Sequence, residues 1–190
     1  MNIALIDMDQ TLCDYEGAME KELSKVLGVV GPVGWHSSEY KGIVDLIKRN
    51  PGFWRTLSKI ELGFKIVEML KEAGFDLHIL TKGPYRTTSA WTEKVEWCRE
   101  HLPGVPVTIT EDKSLMYGKI LVDDWPEYCE RWLKFRPRGL VIMPAYEYNY
   151  SFAVNNIDKV IRATGYNWDQ IEKEIKRVAN RMPGEALGDI

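Results

Sequence analysis

The sequence predicts an α/β fold: a Rossmann-like parallel sheet flanked by helices, with a small helical cap inserted after strand one. Three observations predict it. Five short apolar or β-rich runs punctuate the 190 residues. Helical patterns separate most of them, and strands alternating with helices mean a parallel sheet covered on both faces. Between the first two runs lie roughly 70 residues, far beyond a single crossover.

The elements follow in order. The first strand is IALI, residues 3–6, a fully apolar run. The helical stretch EKELSKVLG ends at Gly28, a residue suited to the left-handed turn after a helix. A turn-rich GVVGPVGWHSS follows. KIVEMLKEAG places Ile66, Val67, Met69 and Leu70 at helical spacing and stops at Gly74. The remaining strands are DLHIL (76–80), VPVTIT (105–110), KILV (119–122) and GLVIM (139–143). TEKVEWCREHL and PEYCERWLKF read as polar-aromatic helices, and DQIEKEIKRVANRM as a last amphipathic helix. PGEALGDI reads as a loose tail. The expected division is a core of residues 1–15 and 75–190 with a cap of 16–74. Trp91, Trp97 and Trp132 are expected in the core. Tyr146, Tyr148 and Tyr150, an alternating aromatic stretch, are expected to be structural.

Composition narrows the function. The net charge of −3 gives no basic footprint for a nucleic acid polymer. No apolar run approaches the roughly 20 residues of a membrane span. The N-terminus lacks the basic flank and cleavage site of a secretory signal. Cys13, Cys98 and Cys129 are widely spaced and form no C-x-x-C, which fits reduced thiols in a cytoplasm. His36, His78 and His101 are scattered, so no zinc cluster is expected. Nothing in the sequence fixes an oligomeric state.

Ligands of an open parallel sheet bind beyond the carboxyl ends of its strands. Asp7 and Asp9 follow strand one, Thr81 strand two, Lys113 strand three, and Asp123 with Asp124 strand four. Neighbouring carboxylates resist joint ionisation unless a cation or a reaction needs their charge. Four carboxylates, a hydroxyl and an ammonium at one edge suit Mg²⁺ and a phosphate, because Mg²⁺ takes oxygen ligands. A carboxylate can attack phosphorus, and a second can serve as general acid and base. Lys113 and Thr81 are suited to hold the phosphate. Lys119 is a second lysine candidate, read here as an edge charge. The rival reading of Asp7 and Asp9 is a cap for a helix starting near Leu12.

In this order, DMDQT, Thr81, Lys113 and Asp123–Asp124 resemble the four motifs of the haloacid dehalogenase (HAD) superfamily of phosphotransferases. DMDQTLCDY, PGFWRTL, ILTKGPYR, TEDKSLMYGKILVDD and VIMPAYEYN together look like the 5′(3′)-deoxyribonucleotidases. That resemblance implies an Mg²⁺-dependent phosphomonoesterase acting on a nucleoside monophosphate, and on a deoxyribonucleotide in particular, through an aspartyl-phosphate. Asp7 would be the nucleophile and Asp9 the acid/base. Asp7, the Asp9 carbonyl and Asp124 would hold Mg²⁺, with Asp123 beside them or as an alternate ligand. Tyr15, Phe53 and Trp54 would line the base. Gln10 stands where the family usually has Gly, Tyr15 where it has Phe, and SKIELG replaces a Pro-containing turn. The same residue types also serve phosphatases and phosphotransferases of other small metabolites, or a nucleotide-binding protein without turnover.

Overall fold

The computed structural model describes residues 1–182, so the expected tail at 183–190 lies outside the described residues. β1 (Ile3–Ile6), β2 (Asp76–Thr81), β3 (Val107–Ile109), β4 (Ile120–Val122), β5 (Leu140–Pro144) and β6 (Val160–Ala163) form one sheet. Their order is β3-β2-β1-β4-β5-β6, and every pairing is parallel. β1 is central: Ala4 lies opposite Leu77 of β2 and Ile120 of β4. The chain runs outward from β1 through β2 and β3, then returns to β1's other side. β1 and β4 therefore flank the switch point, where a ligand crevice opens.

Residues alternate between faces along each strand. Ala4, Ile6, Ile79, Val122 and Ile142 face one core. It is built with α1 (Tyr15–Leu27), α2 (Lys41–Ile47), α3 (Glu61–Glu72), α4 (Thr88–His101) and α7 (Trp168–Asn180). Leu5, Leu80, Leu121 and Val141 face a second core, covered by α5 (Pro126–Phe135) and α6 (Tyr150–Asn155). Trp97 and Trp132 are fully buried. Trp91, expected in the core, is only partly buried, and its Nε1 donates to Pro84 O at 3.1 Å. Among the described residues no helix is long and apolar enough to cross a membrane.

Two sequence expectations shift. A sixth strand, VIRA, extends the sheet; the charged Arg162 had broken its apolar pattern. The first helix starts at Tyr15 rather than near Leu12, because Asp14 caps it by accepting from Gly17 N at 2.8 Å. Residues 8–13 instead form a tight loop in which Leu12 N and Cys13 N both donate to Met8 O, at 2.8 and 2.9 Å. Neither Asp7 nor Asp9 is spent on capping. The loop is clamped by the start of α3: Ile60 N donates to Leu12 O at 2.8 Å, and a Cβ on Gly63 would sit 1.9 Å from Thr11 O. Only glycine permits that approach. Gln10, inside the loop, has φ +53°, a conformation that costs a side-chain-bearing residue about 1–3 kcal/mol.

Candidate active site

The loop after β1 and the ends of β2 and β4 converge as the topology requires. Asp7 prolongs the ladder, its N–H donating to Val122 O at 2.8 Å, so its carboxylate leaves the sheet edge in a fixed direction. Lys113 stands on a 3₁₀ turn after β3, where Asp112 caps the turn by accepting from Ser114 N at 3.0 Å. Its buried Nζ lies 2.6 Å from both Asp7 Oδ1 and Asp123 Oδ2. The other oxygen of Asp123 accepts from Trp125 N at 2.9 Å. Asp124 Oδ1 accepts from Thr11 Oγ1 at 3.2 Å, and Oδ2 from the Tyr148 hydroxyl at 2.6 Å.

Asp9 is held separately. Lys94, fully buried on α4, donates to Asp9 Oδ2 at 2.5 Å, to Lys82 O at 3.0 Å and to Thr81 Oγ1 at 3.1 Å. These three bonds use the whole ammonium. Thr81 is therefore brought to Asp9 through Lys94; its own hydroxyl is fully buried and does not line the cavity. The cavity above is about 360 Å³. Asp7, Asp9, Lys113 and Asp124 form part of its lining, as do Tyr15 and Trp54.

These last two rings stack on each other, with centroids 5.1 Å apart and planes 12° from parallel. Phe53 packs edge-on to both and borders a separate cavity with Asp14 and Asn50. The structure thus brings Tyr15 and Trp54 to the site and leaves Phe53 behind them. Trp35 and His36 also reach the cavity, stacked with centroids 3.7 Å apart. Their loop is pinned by Glu20, whose carboxylate accepts from the backbone N–H groups of Val33, Gly34 and Trp35.

Electrostatics mark a surplus of negative charge. One oxygen each from Asp7, Asp123 and Asp124 lies within 4.8 Å of the others. Burial raises the pKa of Asp123 to about 6, with Asp7 adding and Lys113 opposing. Burial, Asp123 and Asp7 push Asp124 well above the usual carboxylate range. Burial also raises Asp9, with Lys94 opposing and Asp7 adding. For Lys113, burial alone would lower the pKa, but Asp123 and Asp7 hold it above the usual lysine value. A hard divalent cation fits this donor set: all-oxygen, anionic, and in excess of the single ammonium within it.

Sequence reasoning missed Lys94, which reads as an ordinary helix lysine in TEKVEW, and Tyr148, expected to be structural. It also passed over Trp35 and His36, whose signal was an aromatic pair in a glycine-rich turn.

Comparison with known proteins agrees with this geometry. The family described as 5′ nucleotidase, deoxy (pyrimidine), cytosolic type C protein matches residues 1–181. A protein of Bordetella bronchiseptica named "Putative 5′(3′)-deoxyribonucleotidase" is 27% identical over 139 residues, covering 65% of this chain and 74% of that protein. One of the same name from Staphylococcus epidermidis is 29% identical over 136 residues, covering 66% and 75%. In fold, a HAD family hydrolase from Deinococcus radiodurans R1, solved with bound phosphate and sodium, superposes with a TM-score of 0.56 at 12% identity, over 92% of this chain and 97% of that one. A "Putative beta-phosphoglucomutase" from Bacteroides vulgatus gives 0.56 at 10% identity, over 95% and 91%. The chain belongs to the cytosolic type C family of deoxy (pyrimidine) 5′ nucleotidases, and is a deoxyribonucleotidase-like phosphatase with a HAD fold.

Proposed function

We propose that the protein is an Mg²⁺-dependent phosphomonoesterase that dephosphorylates nucleoside monophosphates, deoxyribonucleotides in particular, through an aspartyl-phosphate. One observation carries the reading: Asp7 and Asp9, two residues apart, border one cavity yet are bound by different lysines. Lys113 pairs with Asp7 and fixes its direction, as a nucleophile needs. Asp9, with a pKa raised by burial, is suited to carry a proton.

The Asp7 oxygen not bound to Lys113 attacks phosphorus, and the bond from phosphorus to the leaving oxygen breaks. Asp9, protonated at this stage, gives its proton to that oxygen. Asp9 then takes a proton from water, whose oxygen attacks phosphorus. The acyl-phosphate bond breaks, releasing inorganic phosphate and restoring the Asp7 carboxylate. Lys113 has a third N–H for the phosphate, while Thr81 acts through Lys94. Asp7, the Asp9 carbonyl and Asp124 would hold Mg²⁺, because Asp123 is already paired with the Lys113 ammonium and Trp125 N, whereas the oxygens of Asp124 meet only neutral hydroxyls. When bound, Mg²⁺ supplies positive charge against the phosphate oxygens.

The nucleoside rests on the aromatic wall of Tyr15, Trp54 and the Trp35–His36 pair, with residues 16–74 serving as the cap that carries most of it. The three buried, unpaired cysteines suit a reducing cytoplasm. Phosphate release from a panel of nucleoside monophosphates, sugar phosphates and glycerol phosphate, with Mg²⁺ and with chelator, tests the reading. Nucleoside monophosphates should be the preferred substrates, and chelation should abolish turnover. Preference for a ringless phosphate, or turnover indifferent to chelator, would refute it.

A further inference from the structure

Most of the positive charge around the site is already committed. Lys94 gives all three donors to protein acceptors, and Lys113 gives two of its three. With the acids ionised, Asp7, Asp9, Asp123 and Asp124 outnumber these two ammoniums by two charges. One divalent cation makes the floor of the cavity neutral. With Asp9 protonated, as attack requires, the floor carries one positive charge, so a phosphate dianion arriving there still leaves one negative charge unbalanced.

Two other lysines line the cavity, Lys48 and Lys82. Lys82 is exposed and lies over the Tyr128 ring, 5.2 Å from its centroid. Lys48 differs. It is half-buried at the end of α2, and among the described residues no hydrogen bond or ion pair reaches its Nζ. Asp45 and Asp9 attract it only through space, and burial lowers its pKa. Its backbone is fixed: Lys48 N donates to Val44 O at 3.0 Å, and Lys48 O accepts from Trp54 Nε1 at 3.0 Å. A partly desolvated ammonium with no bonded partner is costly, and an anion in the cavity removes that cost.

We propose that Lys48 is a substrate-binding residue whose ammonium takes an oxygen of the substrate's phosphate dianion from the α2 side of the cavity, opposite the sheet-edge acids. This rests on the phosphatase reading and adds to it a phosphate contact outside the strand-end motifs. The dianion then ties the interval between β1 and β2 to the sheet edge. A nucleoside without phosphate gains nothing from Lys48.

Titration calorimetry of the Mg²⁺-loaded full chain with inorganic phosphate tests this in wild type, Lys48→Met and Lys48→Arg. Lys48→Met should weaken phosphate about 10- to 150-fold, the range for a lost hydrogen bond to a charged group. Lys48→Arg should recover part of it. KM for a nucleoside monophosphate should rise by a similar factor while kcat changes much less, and affinity for the unphosphorylated nucleoside should hold. Unchanged phosphate affinity in a folded Lys48→Met protein overturns the proposal. So does an equal loss for the bare nucleoside, which would make Lys48 a reader of sugar or base. A wild type that binds no phosphate and releases none from any monoester removes the phosphatase reading itself, and Lys48's role with it.

Discussion

Replacing Lys113 with Met keeps the stem and deletes the charge that joins Asp7 to Asp123. Both partners lie 2.6 Å from its Nζ, and all three residues are buried. Breaking a buried pair by removing one partner costs about 3–5 kcal/mol, because the other charge stays buried and unpaired. For a chain of this size each kcal/mol moves Tm by about 2–4 °C, so a fall of about 6–20 °C is expected at neutral pH. The fall should depend on pH with a definite sign. Burial raises the folded pKa of Asp123 to about 6, above the usual carboxylate value of about 4. The folded state therefore holds this proton more tightly, and the resulting stabilisation is fully present below about pH 4 and lost as pH rises through about 6. Deleting Lys113 removes an influence that lowers this pKa, which extends the loss to higher pH. The gap between wild type and variant should be small near pH 4 and largest above pH 7. Melting by circular dichroism without metal, at several pH values, measures it. Lys119→Met is the control: the nearest carbonyls to its Nζ are 3.4–3.5 Å away, and Arg181 and Arg138 repel it. A gap independent of pH, or a larger fall for Lys119→Met, would show that Lys113 does not neutralise this cluster.

Three further outcomes are expected. Mg²⁺ at about 100 times its Kd should stabilise the protein by about 2.7 kcal/mol at pH 7.5 and by less at pH 5, where the raised Asp123 and Asp124 hold protons that compete with metal; an equal thermal shift at both pH values, or one retained in Asp124→Asn, counts against that site. Lys94→Met should lower kcat for a nucleoside monophosphate by about 10²–10⁴, the scale of general acid/base catalysis, and much less for an aryl phosphate whose phenoxide leaves without a proton; equal losses on both would mean that Lys94 does not act through Asp9. Trp54→Ala should lower kcat/KM for nucleoside monophosphates by about 5- to 150-fold, from about 1–3 kcal/mol of base stacking, and leave glycerol phosphate nearly unchanged; with folding checked by melting, equal losses would assign Trp54 to packing alone.

The sheet was legible where burial and pattern coincide. IALI and KILV are unbroken or nearly so because β1 and β4 are central strands covered on both faces. β6 was not, because an edge strand tolerates Arg162, which faces Asn149 and the Tyr146 carbonyl. The acids and Lys113 were legible because the sheet puts strand ends side by side, so order along the chain predicts proximity. Lys94 follows no such rule. Its burial depends on α4 passing beneath Asp9 and on Trp54 lying 4.6 Å from its Nζ, relations between distant segments. Phe53 and Trp54 are adjacent in sequence and alike in type, yet only Trp54 reaches the cavity, because Glu93 accepts from Gly52 N and Trp54 N and fixes how that turn sits on α4.

The spacing of the two acids in DMDQT has its explanation in the same wiring. Residues two apart on a continuing strand would share one face, one environment and one set of partners. The chain instead leaves the ladder after Asp7 and folds back on Met8 O, so Asp9 turns away toward α4 while Asp7 stays at the sheet edge. Tyr146, in the segment after β5, secures that turn: its hydroxyl donates at 2.9 Å to the carbonyl of Gln10, the one residue bearing a side chain among those described whose φ is positive. The strain at Gln10 is thus spent where it separates the two carboxylates. Asp7 shares its lysine with Asp123, at the floor. Asp9 shares its own with Thr81 and with Trp54, the wall on which a leaving group would rest. On the proposed mechanism, nucleophile and proton carrier would then flank the same phosphorus with separate partners, which a single shared lysine would not allow.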